Sequence, residues 1–303
     1  MSWLYLSLMA PLLWSLSNMV DKFAINNITS HYVSFTFLLS IGNIFFATAI
    51  YLILRPTDID PLTASINMLS GLAIFLQYFA YSYSLEDMDV SVVIPIHQSE
   101  PLFVLIASVL LFNSIPTYWQ ASGFLLISGG ILLLCISRKT VNGLGHRRHI
   151  LMILVSALFG AASTIISDEI LKVKSLESVL IFNFSGYALG GILLLGIPNW
   201  RRLITRDLKR LDTKSYCIFG ATNTLDVGGY IFFMAALSAG GGAALVSVVV
   251  SIHPLFVLLF GYVATRYFPN LLTEDIAPTS LIRKGASIVV IVAGVAVISF
   301  HAG

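Results

Sequence analysis

Four titratable side chains, His97, Glu100, Asp226 and His253, stand inside stretches of this chain that are otherwise apolar. At the rise of a helix, Glu100 lies about 14 to 18 Å from each end of its apolar run, and Asp226 about 16 Å from both ends of its own. In a bilayer both would sit near the midplane, where an ionised carboxylate costs from about 2.5 to well over 10 kcal/mol. Such a group faces a cavity, finds a partner or holds a proton. His97 and Glu100 are three residues apart, hence on one helix face, so the imidazole can donate to the carboxylate or carry a proton for it. The chemistry open to this set is the binding and release of a polar solute and of a proton.

Other polar residues follow helical spacing in neighbouring runs: Trp14 and Asn18 with Asp21 or Lys22; Gln77, Tyr81 and Ser84; Thr164 and Asp168; Asn223, Asp226 and Tyr230. Asp21 and Lys22 fall near a run end and read as a local ion pair, and Asp168 and Glu169 are placed similarly near a run end. A proline inside a helix leaves the carbonyl four residues earlier without a donor. Pro101 would free His97 and Pro254 would free Val250, giving two kinks able to gate a path or coordinate a solute. The expected substrate or ion site is therefore Glu100, His97, Asp226, His253, Asn223, Gln77, Asn18, Trp14, Tyr81 and Tyr230. No metal or cofactor is expected. The His and carboxylate spacing is not diagnostic of a metal, no Ser, His and Asp set has a nucleophile context, and Gly240-Gly241-Gly242 precedes no phosphate-binding lysine.

The elements that must position these groups are membrane spans. The chain has 303 residues, 57% hydrophobic and 11% charged, with mean hydropathy +0.89, whereas soluble domains carry about 25% charged residues. About 20 apolar residues cross a bilayer as a helix. Ten runs qualify: 3–24, 31–54, 62–85, 90–112, 118–137, 149–171, 178–197, 215–237, 242–266 and 281–301. They are continuously apolar, not alternating, which excludes a barrel. The first run has no basic segment before it and is too long for a signal peptide. A net charge of +2 without a basic, aromatic-laced patch excludes nucleic acid as a partner. Cys135 and Cys217 form no disulfide framework. The connections after odd-numbered runs hold 14 of the 17 Lys and Arg residues, which places them in the cytoplasm and both termini outside. One connection, Trp200 to Lys214, sets Ile204, Leu208 and Leu211 at helical spacing among basic residues, as in an interfacial amphipathic helix or a solvated basic loop.

The two halves repeat. Pro101-Leu102-Phe103-Val104-Leu105 returns as Pro254-Leu255-Phe256-Val257-Leu258, with His253 at the place of Glu100. Gln77 to Leu85 matches Gly229 to Leu237, Leu13-Trp14-Ser15 matches Leu158-Phe159-Gly160, and Gly129-Gly130-Ile131 matches Ala293-Gly294-Val295. An odd number of spans per half forces the copies into opposite orientations, a transporter signature with its site at the midplane. On these residues, with Lys22 near the end of the first run, the Tyr- and Ala-rich close of the third and Gly123 to Gly130 in the fifth, the chain resembles the EamA-type transporters of the drug/metabolite transporter superfamily. The resemblance implies that the first, third and fourth helices of each repeat line a central cavity while the fifth packs at the periphery.

The expectation is an all-α integral membrane protein of ten helices in two inverted five-helix repeats, residues 1–137 and 149–303, joined by a basic linker at 138–148. It would be no enzyme but a secondary transporter of a small polar metabolite by alternating access, coupled to protons through Glu100 and Asp226, in a plasma or inner membrane. A non-transporting scaffold and an intramembrane lipid-processing enzyme are the competing readings. Oligomeric state is not legible.

Overall fold

The computed structural model describes residues 2–58, 60–100, 102–103, 106–107, 117–135, 144–241, 246, 249–269 and 274–300. Among the described residues all regular structure is helical. The elements are α1 (Ser2–Asn27), α2 (Tyr32–Leu54), α3 (Pro61–Asp87), α4 (Val90–His97), α5 (Tyr118–Cys135), α6 (Leu144–Leu171), α7 (Leu176–Leu194), α8 (Pro198–Leu208), α9 (Thr213–Ala236), α10 (His253–Tyr267) and α11 (Pro278–Phe300). A π turn at Leu237–Gly241 follows α9. α6 begins at Leu144, inside the stretch expected as a linker; residues 136–143 lie outside those described.

Local chemistry sets several helix starts. Asp60 accepts from the Thr63 amide with Pro61 in the first turn of α3, Ser175 caps α7 through the Ser178 amide, and Asp212 caps α9 through Ser215. Each satisfies an amide that the first turn leaves without a partner.

Among the described residues six helices are long and apolar enough to cross a membrane: Trp3–Asn27, Tyr32–Leu54, Pro61–Asp87, Arg147–Leu171, Leu176–Leu194 and Pro278–Val297. Large apolar side chains lie exposed while polar ones share the interior with the apolar core. Phe45, Ile53, Leu62, Leu125 and Ile282 are exposed, while Asn18, Asp21, Ser70, Asn183 and Thr222 are buried. Lipid-facing apolar side chains around a polar interior are what a bilayer solvent selects.

Close helix approach depends on small residues. A Cβ on Gly71 would lie 2.0 Å from the Asn183 carbonyl oxygen, and one on Gly186 2.0 Å from that of Met68, so α3 and α7 meet backbone to backbone. α5 and α11 pair reciprocally. A Cβ on Gly130 would meet Ile291 and the Ser287 carbonyl, and a Cβ on Gly294 would meet Ile127 and the Gly123 carbonyl. The remaining extensive pairings set α1 on α9, α3 on α6 and α2 on α7.

α8 confirms helix over the first part of the basic connection. Its Ile204 is buried, with Trp200 and Leu208 packed on the same cluster as Val33 and Phe37 of α2, so the apolar face is spent on protein. Asp207 accepts from the Ser30 amide at 3.1 Å and the Ser30 hydroxyl at 2.7 Å, tying α8 to the turn before α2.

Candidate functional site

Two helix breaks face each other inside the bundle. α4 ends at His97, and the chain continues through short-range bonds: the Ser99 amide donates to Ile96 at 3.0 Å and that of Leu102 to Ser99 at 2.9 Å. In the second half the Ile252 amide donates to Val249 at 3.3 Å and that of Leu255 to Ile252 at 2.9 Å. The positions correspond through the Pro-Leu-Phe-Val-Leu echo, so both breaks use the same two bonds. Pro254 accordingly stands in the first turn of α10, where its missing N–H leaves no carbonyl wanting. The expected mid-helix kink at Pro254 is therefore a helix start preceded by a break. Pro101 lies outside the described residues.

Between the breaks lies a chamber of about 170 Å³, room for roughly ten waters. One wall carries Glu100. The Thr164 hydroxyl of α6 donates to Glu100 Oε1 at 2.9 Å, and a Cβ on Gly160 would lie 2.8 Å from Glu100 Oε2 and 2.9 Å from Gln77 Nε2. The missing side chain at Gly160 is what lets the carboxylate and the amide approach α6. Gln77 Nε2 is 3.1 Å from His97 Nε2, so the imidazole hydrogen-bonds the amide of α3, while Glu100 takes its donor from α6.

The opposite wall carries Asp226. The Tyr78 hydroxyl lies 2.9 Å from Asp226 Oδ1 and 3.3 Å from Asp21 Oδ2. Behind it the Thr222 hydroxyl donates to Asp21 Oδ1 at 2.5 Å and lies 2.9 Å from the Ser17 hydroxyl. Trp14 Nε1 donates to the Asp226 carbonyl at 3.1 Å. His253 Nε2 is 3.0 Å from Asn18 Oδ1, whose amide nitrogen donates to the Tyr81 hydroxyl at 2.9 Å. α1, α3, α9 and α10 thus converge through polar contacts.

Of the residues singled out in the sequence, Glu100, His97, Asp226, His253, Gln77, Asn18, Trp14, Tyr81 and Tyr230 all line this chamber. Asn223 does not: its amide donates to the Leu39 carbonyl of α2 at 3.1 Å and fills the space left by Gly42. In the match of Gln77 to Gly229, Asn223 corresponds to Gly71, and both hold a helix at a backbone carbonyl. The pairing expected of Asp21 and Lys22 is also replaced. Asp21 turns inward, and Lys22 Nζ donates to the carbonyls of Leu85 at 2.6 Å and Glu86 at 3.1 Å. Asp168 and Glu169 do form a local cluster, with Lys172 at 3.8 and 2.5 Å.

Sequence reasoning missed Tyr78, Asn43, Asn183 and Tyr187, which also line the chamber. Asn43 and Asn183 are amides within apolar runs, the same signal that picked out Glu100. Tyr78 was hidden among the aromatics of α3. Among the described lining residues there is no Lys or Arg, and no group of three His, Cys, Asp or Glu converges as a metal site would.

Polar contacts tie both ends of the bundle. At one, Asp58 accepts from the Ser175 amide at 2.6 Å and the Ser178 hydroxyl at 2.6 Å, bonds that hold its carboxyl down at about 2. Asp60 pairs with Lys174 at 2.7 Å, and that bond together with its capping contact to Thr63 lowers its carboxyl as well. At the other end Lys284, buried, lies 3.1 Å from Asp89 and 3.8 Å from Glu274, and the Ser91 hydroxyl donates to Glu274. Burial, reinforced by Asp89, pushes the Glu274 carboxyl above its usual range.

Apolar spans around a polar chamber define a multi-pass integral membrane protein. The model of the EamA-like transporter family matches residues 1–136, so the first part of the chain is similar to a family that belongs to the drug/metabolite transporter superfamily. A solved crystal structure shares the fold, with a TM-score of 0.59 at 15% identity over 97% of this chain and 94% of its own. Among curated proteins no sequence matches.

Proposed function

We propose that this chain is a secondary active transporter of a small polar metabolite, working by alternating access, with ten spans in two inverted repeats, residues 1–137 and 149–303. The observation that carries this reading is the chamber itself: it lies between two helix breaks built on the same hydrogen bonds, one from each half. Broken helices meeting at a midplane site are how transporters expose backbone and polar side chains without exposing them to lipid. The reciprocal glycine contacts of α5 and α11, and the pairing of α1 with α9 and α3 with α6, support a two-fold relation between halves.

Coupling runs through protons on Glu100 and Asp226, with both termini outside the cytoplasm of a plasma or inner membrane. Neither carboxylate has a Lys or Arg partner among the described residues, and a midplane acid without a cation is neutralised by a proton or by cargo. The test is flux into proteoliposomes under an imposed pH gradient. Glu100→Gln and Asp226→Asn should each lower gradient-driven uptake about tenfold or more; if both leave uptake and its pH dependence intact, the coupling is wrong. A reporter on the C-terminus should be silent on the cytoplasmic side.

A further inference from the structure

The chamber holds acid without a fixed cation among its described lining residues. Its described lining carries two carboxylates, Glu100 and Asp226, and two imidazoles, His97 and His253, with no Lys or Arg. A third carboxylate, Asp21, stands directly behind Tyr78. The Tyr78 hydroxyl has one hydrogen and faces both Asp21 and Asp226. If it donates to Asp226, the shorter contact, the bond to Asp21 requires a proton on Asp21. The three side chains then hold one shared proton and still carry one negative charge.

A second observation comes from α7. Asn183 and Tyr187, four residues apart and so on one helix face, both line the chamber. Both are buried, at 0% and 3% exposure, yet Asn183 Oδ1 and the Tyr187 hydroxyl have no partner among the described residues. Asn183 Nδ2 gives one hydrogen to the Ser167 hydroxyl at 3.2 Å, and the unpartnered atom of the amide is its acceptor oxygen. Tyr187 packs edge-on against Tyr78 with ring centroids 6.0 Å apart, which sets it beside the tyrosine that holds Asp226. Buried polar atoms without a partner are costly, and these two belong to residues that line the chamber, where a solute could supply the missing donors.

We infer that the chamber binds a small organic cation, a primary ammonium whose three N–H donors are taken by Asp226, Asn183 and Tyr187. This rests on the transport reading of the same site and names its substrate class. Three donors on one cationic nitrogen meet a carboxylate, an amide oxygen and a phenolic oxygen. The carbon body lies against the aromatic faces of Tyr78, Phe184 and Phe233, which favour a desolvated cation. The groups facing Asp226 are Asp21 and Trp14 of α1, Tyr78 and Tyr81 of α3, and Tyr187 of α7, with His253 of α10 reached through Asn18; none supplies a fixed positive charge. An anionic solute would meet two carboxylates with no cation among the described lining residues to offset them.

The test is a thermal-shift titration of the purified full chain with three solutes of one shape: phenethylamine, phenethyl alcohol and 3-phenylpropionate. The amine should raise the melting temperature saturably while the alcohol and the carboxylate do not. Asp226→Asn should abolish the shift and Asn183→Ala should weaken binding about tenfold, the loss expected for one bond to a charged group. Asn183→Ala keeps the question answerable should Asp226→Asn fail to fold. A shift by the alcohol or the carboxylate but not the amine overturns the cation inference and leaves the transport reading standing. Amine binding unchanged in Asn183→Ala overturns the placement. Proteoliposomes that carry none of the three, nor any compound of a metabolite pool, overturn the transport reading and the inference with it.

Discussion

The Thr164 hydroxyl donates to Glu100 Oε1 at 2.9 Å, so the acid of the first half takes its hydrogen bond from the second. A contact of this kind must break or slide if the halves move against each other. It also lets the charge of Glu100 be removed with its geometry retained, because a glutamine carbonyl accepts the same bond.

Glu100→Gln should therefore fold normally and lose function. We expect a melting temperature within a few degrees of the parent, since the Thr164 bond survives, and uptake lowered about tenfold to hundredfold, the weight of a lost charged contact of ~1.5–3 kcal/mol. Thermal unfolding and proteoliposome flux on the same preparation check it. A large drop in stability with normal specific flux would show Glu100 to be structural.

Gly160→Ala and Gly71→Ala should separate function from stability. At Gly160 the new methyl meets the far ends of Glu100 and Gln77, which can swing aside, so binding falls while the fold holds. At Gly71 it meets the Asn183 backbone at 2.0 Å, which cannot move without parting α3 from α7. Overpacking of that kind costs about 1 to 3 kcal/mol or more, read as a lowered melting temperature.

Lys284→Met should be among the most damaging single changes. The ammonium is 1% exposed and faces Asp89 and Glu274. Removing it leaves the buried Glu274 carboxylate without its cation, at about 3 to 5 kcal/mol. Lowering the pH should partly restore the variant, because protonating Glu274 removes a charge that burial already disfavours. Unfolding midpoints at pH 7 and pH 5 test this.

The tie at Asp58 should set an acid limit to stability. Its carboxyl titrates at about 2 in the folded protein, against about 3.9 unfolded, so the folded state favours the charged form. The contribution is complete above pH ~4 and is lost as pH falls toward 2. Asp60, also depressed, acts in the same direction. Asp58→Asn should flatten this part of the stability curve, measured by denaturant unfolding between pH 2 and pH 6.

Much of the site was legible in the chain because polarity within an apolar run is rare enough to mean something. Glu100, Asp226, His97 and His253 announce themselves against leucine and valine, and all four reach the chamber. Asn223 carried the same signal and serves helix packing instead, since an amide at the midplane can equally be satisfied by the carbonyl of a neighbouring helix. Lys22 looked like a local partner for Asp21 because charge near a run end suggests a surface pair. Its stem instead carries the ammonium to the carbonyls of Leu85 and Glu86.

The sequence by itself determined the solvent of this protein, the apolar runs and the identity of the groups that lipid cannot hold, because hydropathy and helical period are properties of neighbours in the chain. Which groups face one another was decided only by tertiary structure. Tyr78 stands between Asp21 and Asp226 because α1, α3 and α9 converge there, and Asn183 Oδ1 and the Tyr187 hydroxyl have no partner among the described residues where α7 borders the chamber. Distances between residues far apart in the chain depend on how helices pack, and packing is settled by small residues such as Gly71, Gly160 and Gly186, whose role becomes visible only once the helix they admit is in place.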